Sequence, residues 1–295
     1  MSIQRKTILV VLAFFAIYVI WGSTYLLNKI AVAEIPPLYL GAIRFIIAGI
    51  LIFVIAKLLG HKLAITRAQL INTLIAGFLF LTYGNGVFVW SLKYIDSGFA
   101  ALIASTQPLM VILLMWMIDG KRIRKMSMAG VVLGIIGIYL LVSQNELASQ
   151  EGTTIGIIMI FSTILSWSFA SIFVSKANLP SNYFVNSGYQ MILGGILMLI
   201  FSLIIGEQWS SPVTWTGTVQ FSMIILIIFG SIIAFTSFNY LLKVVSTEKV
   251  ATSAYVNPVI ALFLGWYILD EIITIQSIIA AFVLLLGVYF INSNK

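Results

Sequence analysis

The chain has 295 residues, 61% of them hydrophobic and only 8% charged, with a net charge of +7 and a mean hydropathy of +1.11. Soluble domains carry about 25% charged residues, so a water-facing globular surface is excluded. Zero cysteines exclude disulfides, thiolate metal sites and cysteine catalysis, and sixteen basic residues scattered between apolar runs form no nucleic-acid-binding face.

Nine charge-free windows of at least 20 residues follow one another: 7–28, 68–92, 97–118, 126–145, 152–175, 177–206, 208–242, 250–269 and 272–294. A further apolar segment, about 36–58, is interrupted once, by Arg44. A helix crossing a ~30 Å hydrocarbon core needs roughly 20 apolar residues, so the pattern predicts an all-α membrane protein with ten transmembrane helices. Arg5-Lys6 followed by 7–28 imitates a signal peptide. The run is too long for one and lacks a small-residue cleavage pattern, so it reads as the first span. With the N-terminus in the cytoplasm, thirteen Lys and Arg fall inside and only Lys29 and Lys93 outside. That bias places both termini in the cytoplasm of a multi-pass protein of the plasma membrane, the inner one where the source has two.

The chain reads as a duplication, with halves 1–147 and 148–295. Arg44-Phe-Ile-Ile-Ala-Gly-Ile-Leu lies over Gln190-Met-Ile-Leu-Gly-Gly-Ile-Leu at an offset of 146, as Trp21 lies over Trp167. At an offset of 150, Leu92-Lys93, Ala101, Ala104, Pro108 and Trp116 match Leu242-Lys243, Ala251, Ala254, Pro258 and Trp266. Five spans per half put the second half in the membrane with opposite polarity, a pattern of secondary transporters whose site lies between the halves.

Trp21-Gly22-Ser23-Thr24, Lys29, Pro36-Pro37 and Arg44-Phe45 resemble the first repeat of EamA-type proteins in the drug/metabolite transporter superfamily. With the proline-bearing spans 4 and 9, the resemblance covers essentially the whole chain. It implies a ten-helix inner-membrane carrier with a central cavity, often exporting amino acids or related metabolites. The second repeat departs from the pattern, with Trp167-Ser168-Phe169 and Gln190 at the matching places.

Pro108 and Pro258 each delete one helical hydrogen bond mid-span, to Ala104 and Ala254. They are expected to mark two central gating helices, and each follows an amide, Gln107 or Asn257. Tyr18, Trp21, Tyr25 and Asn28 share a face of span 1, and Tyr83 and Trp90 one of span 3. Trp167, Tyr189, Gln190, Asn239, Tyr255 and Asn257 add polar tips from the second half. Together these predict a cavity walled by rings with a few amides, although Tyr25, Trp90 and Tyr189 fit interface anchors equally well. Arg44 either snorkels to the outer interface, ties to carbonyls, or presents a charge to the substrate path, and Lys29 at the end of span 1 is a second candidate for that charge.

All nine acidic residues fall in loops or at span ends, so no buried carboxylate relay is expected. Gly130, Gly134 and Gly137 read as a packing face, and the single histidine, His61, as a solvated loop residue. No catalytic residue, metal or cofactor is expected. The leading function is a secondary carrier that moves a small metabolite, an aromatic or apolar amino acid foremost, outward by alternating access. The alternatives are a broad exporter of toxic hydrophobic compounds, a membrane scaffold and an intramembrane lipid enzyme. The expected partners are a small-molecule substrate and the bilayer, with a monomer the simplest assembly and a dimer left open.

Overall fold

A computed structural model describes residues 3–120, 125–143, 151–245, 247–250 and 253–292. The described residues are helical and contain no strand. Eight helices are long and apolar enough to cross a membrane: α1 (Thr7–Val32), α2 (Pro37–Leu58), α3 (Arg67–Ser91), α4 (Ser97–Ile118), α5 (Lys125–Val142), α6 (Thr153–Lys176), α7 (Tyr183–Ile204) and α8 (Gly217–Val244). Two more, α9 (Ser253–Leu269) and α10 (Ile275–Asn292), carry the shorter apolar stretches Val256–Leu269 and Ile275–Gly287.

The helices start where the sequence supplies caps or prolines. Thr66 and Gln69 form a reciprocal capping box at the start of α3, and Asn182 accepts from the amides of Phe184 and Val185 at the start of α7. Pro37 opens α2, where its missing N–H would have had no partner anyway.

Lipid gives helices no hydrophobic reason to associate, so close packing of small residues must hold them together. The two most extensive contacts, α2 with α7 and α5 with α10, are built this way. A Cβ at Gly195 would lie 3.0 Å from the Ile46 backbone nitrogen, and one at Gly49 3.1 Å from that of Ile192. A Cβ at Gly287 would sit 2.8 Å from the Gly130 carbonyl and 3.0 Å from the Gly134 nitrogen, so the span 5 glycines do form a packing face.

Three helices contain π-helical turns, at Ala16–Ile20 in α1, Phe78–Asn85 in α3 and Leu226–Phe235 in α8. A widened turn frees carbonyls that apolar surroundings cannot satisfy. Side chains supply the donors. Ser166 Oγ donates to Leu79 O at 2.7 Å, Trp21 Nε1 to Gly230 O at 3.1 Å, and Ser231 Oγ to Leu226 O at 3.0 Å. In the amide orientation that suits its surroundings, Asn257 donates to Tyr18 O at 2.7 Å and Ile17 O at 3.0 Å.

The two proline helices differ from the expectation of matching breaks. α4 is interrupted at Ser105–Thr106 and restarts at Gln107, so Pro108 sits in a first turn, where its missing N–H costs nothing. Ser105 and Thr106 satisfy the break themselves, donating to the carbonyls of Leu102 and Ile103 at 2.6 and 2.8 Å. α9 instead runs unbroken through Pro258.

Candidate functional site

A central cavity of about 130 Å³ is lined by α1, α2, α3, α4, α6, α8 and α9. Trp21, Tyr25 and Asn28 face it from α1, Arg44 from α2, Gln107 from α4, Trp167 from α6, and Asn257 with Pro258 from α9. The Trp21 ring meets Trp167 edge-on at 5.7 Å and Phe238 at 5.0 Å, and Tyr25 meets Phe88 edge-on at 5.3 Å. Pro108 is buried but is not a lining residue. The Tyr255 side chain lies outside the described residues.

Arg44 does not snorkel: it is 3% exposed. Its Nε donates to Ser231 Oγ at 2.8 Å and its Nη1 to Asn28 Oδ1 at 3.2 Å, and the guanidinium lies 4.8 Å from the centre of the Phe45 ring. Asn28 is oriented in turn by donating to Thr24 O at 2.8 Å. Gly230 makes room for this fork: a Cβ there would come within 3.0 Å of Arg44 Nη2. Arg44 is the one charged residue among the described lining residues.

Several expected residues lie elsewhere. Tyr83 is 38% exposed on the outside of the bundle, and Trp90 is half-buried away from the cavity. Their seven-residue spacing assumes an unbroken 3.6-residue period, and the π-helical turn at 78–85 rotates the face. Gly84, Asn85 and Phe88 take the lining positions of α3 instead. Tyr18 drops out for the same reason, since it lies within the widened turn of α1. Tyr189, in the second turn of α7, lies away from the cavity, its hydroxyl donating to Leu63 O at 3.1 Å and its ring edge-on to Phe53 at 4.9 Å.

Gln190 and Asn239 belong to a second polar cluster between α7 and α8. Gln190 Nε2 donates to Asn186 Oδ1 at 3.0 Å, Asn186 Nδ2 to Asn239 Oδ1 at 3.3 Å, and Asn239 Nδ2 to Ser187 Oγ at 3.0 Å. α7 contributes nothing to the cavity wall, so these amides weld two helices behind it. Lys29 also faces away: its Nζ donates to Leu92 O at 2.8 Å and Ile95 O at 2.7 Å, and lies 3.9 Å from Asp96. It holds α1 to the turn after α3. The sequence reading missed Phe235 and Phe238, hidden in the longest apolar run, and Thr24, Asn85, Ser105 and Ser253, small polar residues with no periodic signal.

Beyond one end of the cavity, three carboxylates cap helix starts across the chain's two halves. Glu34 accepts from Thr216 N at 3.0 Å and Thr216 Oγ1 at 2.6 Å at the start of α8. Glu207 accepts from Leu38 N at 3.1 Å and Tyr39 N at 2.8 Å at the start of α2, and from Ser202 Oγ at 2.6 Å. Glu271 accepts from Ser97 N, Ser97 Oγ and Gly98 N at 2.8, 2.7 and 2.9 Å at the start of α4. Glu271 is only 9% exposed, a buried carboxylate that its loop position concealed. Asp96 beside it has a raised pKa, chiefly from burial and then from Glu271, with Lys29 opposing. A negative charge at a helix start is favourable, so complementary charge ties the starts of α2, α4 and α8 to distant stretches of the chain. The cavity instead extends toward Leu242, Val250 and Ser253 at the opposite end, where Lys243 donates to the carbonyls of Pro180 and Ser181.

The sequence profile of the EamA-like transporter family matches residues 8–143 and 154–293. Over 284 residues the chain is 35% identical to a protein of Escherichia coli K12 named as an uncharacterized inner membrane transporter, YedA, covering 96% of this chain and 90% of that one. It is 26% identical over 299 residues to a probable amino-acid metabolite efflux pump of the same strain, covering 92% and 91%. It is 25% identical over 262 residues to an S-adenosylmethionine/S-adenosylhomocysteine transporter of Chlamydia trachomatis serovar L2, covering 85% and 79%. A solved crystal structure superposes with a TM-score of 0.70 over 95% of both chains at 19% identity, which establishes likeness of fold alone.

Proposed function

The chain belongs to the EamA-like transporter family, and from that premise we propose that it is a secondary carrier exporting a small metabolite by alternating access. Aromatic or apolar amino acids are the first class to test. The observation that carries this reading is the central cavity, drawn from helices of both halves and walled by Trp21, Tyr25, Trp167, Phe235 and Phe238 around a few amides. Its volume of about 130 Å³ suits one ring or a short apolar body; a cavity of about 150 Å³ takes up benzene.

The mechanism we read from this arrangement has two inverted five-helix halves, 1–147 and 148–295, crossing the membrane ten times with both ends cytoplasmic. The pairing of α2 with α7 and of α5 with α10 supports it, because these are equivalent helices under the duplication. Glu34, Glu207 and Glu271 each bridge one half to the other, so they form the outer closure that must part to release solute. The break in α4 at Ser105–Thr106 lies beside the cavity and gives its two segments a place to hinge.

Flux measured in proteoliposomes against a panel of amino acids tests the reading. Counterflow of at least one aromatic or apolar member, lost when Trp167 is replaced by alanine, is expected. No flux of any member would overturn this substrate class.

A further inference from the structure

The charge of the cavity narrows the solute further. Among the described lining residues Arg44 is the one ionic group, and no carboxylate faces it. A guanidinium has five N–H donors in a rigid fork. Two of them are engaged, by Ser231 and Asn28, and no described residue accepts from Nη2. Both partners are already committed: Ser231 donates to Leu226 O, and Asn28 to Thr24 O. The fork is therefore held in one orientation with its outer edge unspent, at 3% exposure. Burying such a charge without a counter-charge is costly, and a bound carboxylate relieves that cost through two parallel charge-assisted bonds.

The same inventory argues against a required ammonium. A cationic group would enter a cavity that already holds one positive charge and offers no described carboxylate; its neutral acceptors, the unpartnered Asn85 Oδ1 among them, supply no counter-charge.

We propose that Arg44 is the anion-binding end of the central cavity, and that its solute is a monocarboxylate with an aromatic or apolar body for which an ammonium is dispensable. This deepens the carrier reading and rests on it. Gly230 is part of the same subsite, since any side chain there would push Nη2 aside.

The test uses the purified full-length protein in detergent and three ligands sharing one phenethyl body: 3-phenylpropionate, phenylalanine and phenethylamine. Titration calorimetry is expected to show 3-phenylpropionate binding at least as tightly as phenylalanine, with phenethylamine at least about tenfold weaker. Arg44→Lys keeps the charge but not the fork and should weaken carboxylate binding about tenfold. Arg44→Gln should erase the difference among the three ligands. The wild-type series stands on its own should either variant fold poorly. Equal or tighter binding of the amine, or no binding of either carboxylate, overturns the proposal. Flux of the bound carboxylate in proteoliposomes is scored separately. Binding without flux counts against the carrier reading, whereas flux of solutes lacking a carboxylate counts against the role of Arg44.

Discussion

Replacing Glu271 by glutamine separates a buried cap from an ordinary surface one. The carboxylate receives three hydrogen bonds at the start of α4, two on Oε1 and one on Oε2. Glutamine keeps one oxygen for Ser97 N and Oγ, but its amide nitrogen then faces the Gly98 N–H, donor against donor. The side chain cannot swing away, because Oε2 already lies against Gly265, where a Cβ would be 2.2 Å from it. An unsatisfied buried N–H costs about 1–3 kcal/mol, and the lost charge at a helix start adds about 0.3–1 kcal/mol. The expected destabilisation is thus about 1–4 kcal/mol, read by equilibrium unfolding in mixed micelles. Glu34→Gln serves as the control: it weakens the corresponding cap of α8, which is solvent-exposed, and should cost clearly less. A loss at Glu271 no larger than at Glu34 would refute the reasoning.

Asp96 has its pKa raised by burial and by Glu271, so its contribution to stability is present below the ordinary aspartate value and is lost as pH rises through the raised one. Asp96→Asn should flatten the decline in stability that sets in as pH rises past the ordinary aspartate value, and an unchanged profile would count against it. Asn257→Leu removes the donors to Tyr18 O and Ile17 O and should cost about 1–3 kcal/mol while also weakening ligand binding; normal unfolding and affinity would sink the assignment. Pro108→Ala restores an N–H that can reach Ala104 O and straighten α4, so flux should slow with expression and thermal stability largely intact. Wild-type flux would make the break passive. Reporters fused at residue 123 should lie inside and at residue 148 outside, and finding both on one side would overturn the proposed topology.

The sequence alone determined the class of molecule, since charge-free runs of membrane length leave a chain no other way to satisfy its backbone than by helices. It also marked Trp21, Trp167, Gln107 and Asn257, because rings and amides at bilayer depth stand out against aliphatic residues. Which face each helix turns inward was another matter. In lipid both the outward and the packed faces are apolar, so periodicity carries little signal, and the π-helical turns at 16–20 and 78–85 shift whatever signal remains. For that reason the spacing of Tyr83 and Trp90 points to a cavity that neither residue lines. Gln190 and Asn239 look no different in sequence from Gln107 and Asn257, yet they bond within a cluster between α7 and α8. Arg44 and Glu271 depend on tertiary structure most of all. Ser231, which holds the Arg44 fork, and Ser97, which Glu271 caps, lie 187 and 174 residues from them in the chain, and only folding brings a lone guanidinium to the cavity and a loop carboxylate to the start of a buried helix.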